Sequence, residues 1–220
     1  MKKKIRINNR LPLAKEGFPF IGIGIGITLL FAFLGWISIF LLTALLTLFV
    51  VYFFRDPERH APNMENAVVT PADGRILEIR NVDGEDNPFG RPSIKISIFM
   101  NVFNVHVNRI PIRGTIQKIT YHAGKFLSAN LDKASDQNEN NRVILQTDDS
   151  REILVIQIAG LVARRIVCWG KQGDKVETGQ RFGLIRFGSR LEVFLPPESI
   201  VIGKVGQKVK AGETIIGRLA

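Results

Sequence analysis

The sequence predicts a mainly β domain, a compact β-sandwich, carried behind an N-terminal membrane helical hairpin. Three observations predict it. Phe18 to Phe54 is a run of 37 residues without Asp, Glu, Lys, Arg or His. Beyond Val68 the apolar residues alternate or cluster in short runs bounded by glycine turns, the period of strands. A ten-residue pattern recurs 33 residues later near the C-terminus. With 45% hydrophobic and 23% charged residues the chain is neither disordered nor collagen-like, and one cysteine, Cys168, excludes an internal disulfide and points to a reducing compartment.

Residues 1–17 form a basic segment, with six Lys or Arg against Glu16. As one helix the apolar run 18–54 would extend about 55 Å, against a hydrocarbon core of about 30 Å. A break at Gly35-Trp36 gives two near-minimal helices, Phe18–Leu34 and Ile37–Phe54, that span as a hairpin or dip in and return. Basic residues before the run, and Arg55 and Arg59 after it, place both ends and the main domain on the cytoplasmic side of the cell membrane. The glycines Gly22 and Gly26 have GxxxG spacing, which fits either close helix packing or a flexible entry. Of the net +10, half comes from residues 1–17 and half from 55–220. That balance suits an anionic bilayer; no zinc-finger or RNA-binding signature accompanies it, so nucleic acid is not an expected partner.

In the main domain, 55–220, Ile94–Ile98 and Val105–Asn108 alternate with period two, while Val143–Leu145 and Ile153–Ile158 read as buried strands. Ser128–Arg142 is polar and reads as a long loop or a short helix within one. The repeat pairs Gly170-Lys171-Gln172-Gly173-Asp174-Lys175-Val176-Glu177-Thr178-Gly179 with Gly203-Lys204-Val205-Gly206-Gln207-Lys208-Val209-Lys210-Ala211-Gly212, six of ten positions matching. Glycines at these spacings suit tight strand-turn-strand units. The pattern resembles the half-barrels of lipoyl and biotinyl carrier domains, which implies a barrel-sandwich hybrid of hairpin units. Asp132-Lys133-Ala134 also resembles a lipoyl-lysine site, but Lys133 lies some 40 residues upstream of the repeat rather than at a tip between its halves. A solvated lysine is the simpler reading.

Chemistry-bearing residues are few. The histidines are His60, His106 and His122, and no metal-ligand cluster is visible. In a strand, Asn104, His106 and Asn108 share one face, which fits a site or a satisfied core histidine. His122 reads as a strand-end polar group or part of a substrate site. Asp73, in Pro71-Ala72-Asp73-Gly74, suits a turn that caps backbone amides. Gly188-Ser189, the sole Gly-Ser pair, lies between strand-like segments and sets an uncrowded carbonyl beside a hydroxyl.

Four blocks taken in order, Phe53–Arg59, Thr70–Gly74, Asn101–Pro111 and Phe187–Arg190, together with the apolar run, resemble the short form of the phosphatidylserine decarboxylase proenzymes. The resemblance covers nearly the whole chain. It implies self-cleavage between Gly188 and Ser189 into chains 1–188 and 189–220, which remain associated. Ser189 Oγ would attack the Gly188 carbonyl, and β-elimination from the resulting ester would release the Gly188 carboxylate and leave dehydroalanine. Tautomerisation and loss of ammonia then leave a pyruvoyl group, so that neither metal nor pyridoxal phosphate is implied. His106, oriented by Asp73, would be the base in a Ser-His-Asp arrangement. The ketone would form a Schiff base with phosphatidylserine and accept the electrons released with CO₂, giving phosphatidylethanolamine. Longer members carry a histidine where this chain has Phe103, so Phe103 and His122 enter as substrate-site candidates, and the proton donor is His106, His122 or water. The partners implied are phosphatidylserine and the anionic membrane, with room for a homo-oligomer. The alternative class is a membrane-anchored carrier or adaptor without catalysis.

Overall fold

The computed structural model describes residues 12–83, 87–124, 137–160, 165–186 and 189–220. Lys133 and Gly188 lie outside the described residues. The chain divides into two units, one of residues 8–58 and one carrying 59–220.

In the first unit α1 (Phe18–Phe33) and α2 (Ile37–Phe53) match the expected helices to within a residue. Pro19 occupies the first turn of α1, where its missing N–H has no helical partner to lose. Gly35 ends the helix at φ +71°, and the Trp36 N–H reaches the Phe31 carbonyl at 3.1 Å, a left-handed cap that only glycine enters without strain. Counted from Lys15, the first helix has 19 residues and is long and apolar enough to cross a membrane. Its outward side chains are apolar, Leu29 and Phe33 among them, as are Leu45 and Leu48 of α2. The helices meet at Gly24, where a Cβ would stand 2.7 Å from Thr47 Oγ1. Gly22 and Gly26 face open space, so their GxxxG spacing is not the packing motif.

In the second unit the described strands are β1 (Ala67–Val69), β2 (Gly74–Val82), β3 (Ser93–Met100), β4 (Val107–Arg109), β5 (Gly114–His122), β6 (Asn140–Gln146) and β7 (Glu152–Ala159). They continue as β8 (Ile166–Cys168), β9 (Lys175–Val176), β10 (Arg181–Ile185), β11 (Ser189–Leu195), β12 (Ile200–Val201), β13 (Lys208–Val209) and β14 (Ile215–Arg218). The domain is thus mainly β, as expected. The polar stretch read as a loop up to Arg142 ends earlier, because β6 begins at Asn140.

An eight-stranded sheet runs β13-β2-β3-β11-β7-β6-β5-β9 and reads alike from both edges. Each half has a two-residue edge strand from the repeat, a nine-residue strand, an inner strand, and one of the central antiparallel pair β11 and β7. Bulges fall between Ile76 and Glu78 in β2 and between Ile116 and Lys118 in β5, bending the sheet at matching places. The three-stranded sheets β1-β14-β12 and β4-β10-β8 match in the same way. Reciprocal bonds join the halves: Arg109 N–H donates to the Pro71 carbonyl and Val69 N–H to the Pro111 carbonyl, both at 2.9 Å. Where β2 and β5 begin, a Cβ on Gly74 would lie 2.0 Å from Phe99 O, and one on Gly114 2.2 Å from Gln146 O. Glycine at these starts lets the neighbouring strand close in.

Alternation in β11 sets the two faces of the sheet. Leu191, Val193 and Leu195 enter the main core with Ile96, Ile98 and Val155. Phe194 packs on the opposite face with Leu154, Ile156 and Ile158, the period-two pattern of a strand buried on both sides.

Candidate active site

Ser189 is the first residue of β11, between Met100 at the end of β3 and Ala159 at the end of β7. It is fully buried, and its Oγ makes no hydrogen bond among the described residues. A buried hydroxyl left unsatisfied is uncommon and calls for an explanation.

Around this row the sheet carries amides. Asn138 Nδ2 donates to the Ala159 carbonyl at 2.7 Å. Asn141 Nδ2 donates to Gln157 Oε1 at 2.9 Å, Gln157 Nε2 to Asn108 Oδ1 at 2.8 Å, and Asn108 Nδ2 lies 3.8 Å from Met100 Sδ. All four polar side chains are buried. The chain of bonds ties β4, β6 and β7 to the residue that faces Ser189.

His106 is fully buried just before β4. Its Nδ1 lies 3.0 Å from the Asn104 carbonyl, which can only accept, so Nδ1 carries a proton. The hydrogen bonds of Asp73, expected to orient the ring, run to other groups. Asp73 Oδ1 accepts from the Ala211 N–H at 2.7 Å and Oδ2 from Arg59 Nη2 at 3.1 Å. The aspartate caps and pairs, clamping the Thr70–Gly74 turn to the arm before β14.

The other candidates stand further out. Phe103 is 61% exposed at the tip of the loop following β3, in a turn closed by Asn101 and Asn104 side chains that accept backbone N–H groups. His122, exposed at the end of β5, faces Asn140. Three strand spacings, roughly 14 Å, separate β5 from β11. Burial pushes the Cys168 thiol pKa up, which makes it a poor nucleophile. A hollow of about 610 Å³ lined by Met64, Ile112, Asp148 and Glu177 lies by the β6–β7 turn, at the end of β7 away from Ala159, and is no part of this arrangement.

Sequence reasoning missed the amide chain and a buried ionic cluster on the opposite face of the sheet. Arg190 Nε and Lys95 Nζ flank Glu192 Oε1 at 3.1 and 3.0 Å, and Arg190 Nη2 bonds Ser97 Oγ at 3.0 Å. The signal was present in Arg190-Leu191-Glu192-Val193, where charge alternates with apolar residues in a strand flanked by buried strands.

The chain thus joins an apolar helix pair to a mainly β domain that buries Ser189 at the start of a central strand and His106 just before β4. Comparison with known proteins specifies it further: the chain belongs to the phosphatidylserine decarboxylase family, whose model matches residues 46–217. It is 56% identical over 209 residues to a phosphatidylserine decarboxylase proenzyme of Syntrophus aciditrophicus, covering 93% of this chain and 96% of the relative. Proenzymes of the same description from Desulfotalea psychrophila and Geotalea uraniireducens are 47% and 46% identical, each over 96% of this chain.

Proposed function

We propose that this chain decarboxylates phosphatidylserine to phosphatidylethanolamine with a pyruvoyl group made from its own Ser189. The observation that carries the reading is the fully buried Ser189 hydroxyl without a hydrogen-bond partner among the described residues, at the mouth of a central strand in a member of this family. A buried hydroxyl engaged in no structural hydrogen bond can give its proton to a general base when it attacks.

His106 Nε2 takes the proton from Ser189 Oγ as it attacks Gly188, since Nδ1 is held protonated by the Asn104 carbonyl. Asn108, two residues along and joined to Gln157, fixes the segment that bears the histidine. Asp73 and Arg59 hold the neighbouring turn, a positioning role. Phe103 and His122 are outer contacts for the lipid. Once formed, the pyruvoyl ketone supplies an electron sink for decarboxylation of the serine headgroup. The domain lies on the cytoplasmic side behind residues 18–54, and the two β halves are read as lipoyl-like hairpin units.

Cleavage would leave β11 to β14 on the smaller chain. β11 pairs with β3 and β7, β13 with β2, and β14 with β1, so the pieces stay together until the sheets unfold. Mass spectrometry of the purified protein should find two chains, 1–188 and 189–220, that co-purify and separate only in denaturant. The smaller should begin with a ketone that hydroxylamine traps; an intact chain with full activity overturns the reading.

Replacing His106 by Ala should slow the appearance of the two chains by roughly a hundredfold, a typical loss for a general base, followed by electrophoresis of freshly folded protein. Cleavage at the normal rate would remove His106 from the step.

A further inference from the structure

We propose that the arm Ile200–Lys210 is a docking surface for an anionic lipid bilayer. The inference rests on the reading that the substrate stays in the membrane while it reacts.

The matching halves of the domain supply an internal control. The arm Gly203–Gly212 and its twin Gly170–Gly179 have the same backbone. Gly206 and Gly173 take φ +84° and +87°, and Gly212 and Gly179 both take +75°. Gly206 N–H donates to the Ile76 carbonyl and Gly173 N–H to the Ile116 carbonyl, each at 2.8 Å. Over these ten residues the fold makes equal demands on both arms, so the difference between Val205 and Gln172 and between the charges the arms carry needs another cause.

The surfaces differ sharply. In the C-terminal arm Ile200, Ile202 and Val205 are 59%, 47% and 62% exposed, and Lys204, Lys208 and Lys210 are exposed among them. No acid occurs from Ser199 to Gly212. At the matching places the twin has Val167 and Trp169, both half-buried, and Gln172. Asp174 and Glu177 there offset Lys171 and Lys175. Exposed branched apolar side chains between lysines, with no acid within the arm itself, match the boundary where acyl chains meet anionic headgroups: the apolar tips enter and the lysine stems reach outward.

The position fits as well. Lys208 pairs with Arg75, Arg75 with Phe99, and Phe99 with Arg190, so the arm lies in register one residue from the Ser189 row. β13 is three strand spacings from β11, roughly 14 Å. The exposed Arg75 donates to the Gly206 carbonyl at 3.0 Å and adds its charge beside the arm. A bilayer seated here brings headgroups to the end of the sheet where Ser189 stands.

The test uses full-length protein in vesicles of phosphatidylcholine with or without phosphatidylglycerol. Val205→Cys and, as its twin control, Gln172→Cys are each made in a Cys168→Ser chain and labelled with an environment-sensitive fluorophore. The label at 205 should shift to the blue on anionic vesicles and revert as salt is raised, while the label at 172 stays water-like. An unshifted 205 label, equal shifts at both sites, or a shift that requires added membrane proteins overturns the proposal. Each lysine near an anionic leaflet is worth roughly a fivefold change in partition. Lys204→Glu, Lys208→Glu and Lys210→Glu together should cut decarboxylation on anionic vesicles at least tenfold and leave a water-soluble short-chain phosphatidylserine turned over as before. Loss on both substrates also overturns it. Mass analysis of the same samples reports the Ser189 chemistry separately: an uncleaved chain whose 205 label still shifts refutes the pyruvoyl reading and leaves the docking surface standing.

Discussion

Replacing Ser189 with Ala should give one uncut, folded chain with no decarboxylase activity. The change deletes a buried hydroxyl that makes no hydrogen bond among the described residues, so it removes no partner from any other described group. Deleting a polar atom that was buried unsatisfied is neutral or stabilising, by about 1 kcal/mol. Loss of function in this variant therefore cannot be assigned to unfolding, and a urea midpoint equal to or above that of a cleavage-impaired reference such as His106→Ala would confirm the point. Chemistry is affected at two stages, because the hydroxyl is first the nucleophile that breaks the chain and then the source of the ketone. Residual activity at the level of the parent protein would show that the carbonyl comes from elsewhere.

Much of this arrangement was legible in the residues because periodicity and glycine placement are local signals. The break at Gly35 and the strands around Ile96 and Val155 followed from them. The two-fold likeness of the halves was visible only in the ten-residue repeat. Its other component, Thr70–Ile76 against Ile110–Ile116, shares just Pro, Gly and Ile at matching places, since a strand start constrains few side chains. Asn138, Asn140 and Asn141 looked like loop residues because asparagine is common in turns. The burial of Asn138 and Asn141 depends on a carbonyl and an amide of β7 that are distant in sequence. Likewise Asp73 suggested a partner for His106, whereas the backbone brings Ala211 and Arg59 to it and gives the ring the nearby Asn104 carbonyl instead.

Glu192→Ala should be the most damaging change away from the site itself. Glu192, Arg190 and Lys95 are 1%, 1% and 5% exposed, and both cations rest on the same Glu192 oxygen. The Glu78 carboxylate, 3.5 Å from Arg190 and 3.6 Å from Lys95, is the remaining anion among the described groups of the cluster. Removing one partner of a buried pair strands a charge in low dielectric at about 3–5 kcal/mol, a large share of the roughly 5–15 kcal/mol that holds a domain together. The measurement belongs in the Ser189→Ala background, where an uncut chain keeps unfolding unimolecular. If stranded charge is the cause, Lys95→Met with Glu192→Met should recover most of the loss, because one cation and one anion leave together and Arg190 keeps Glu78. If the double variant is as unstable as Glu192→Ala, packing and not charge is what Glu192 supplies. With Ser189 restored, Glu192→Ala should also slow chain cleavage, since the Arg190 side chain loses one of the partners that hold the residue next to the nucleophile.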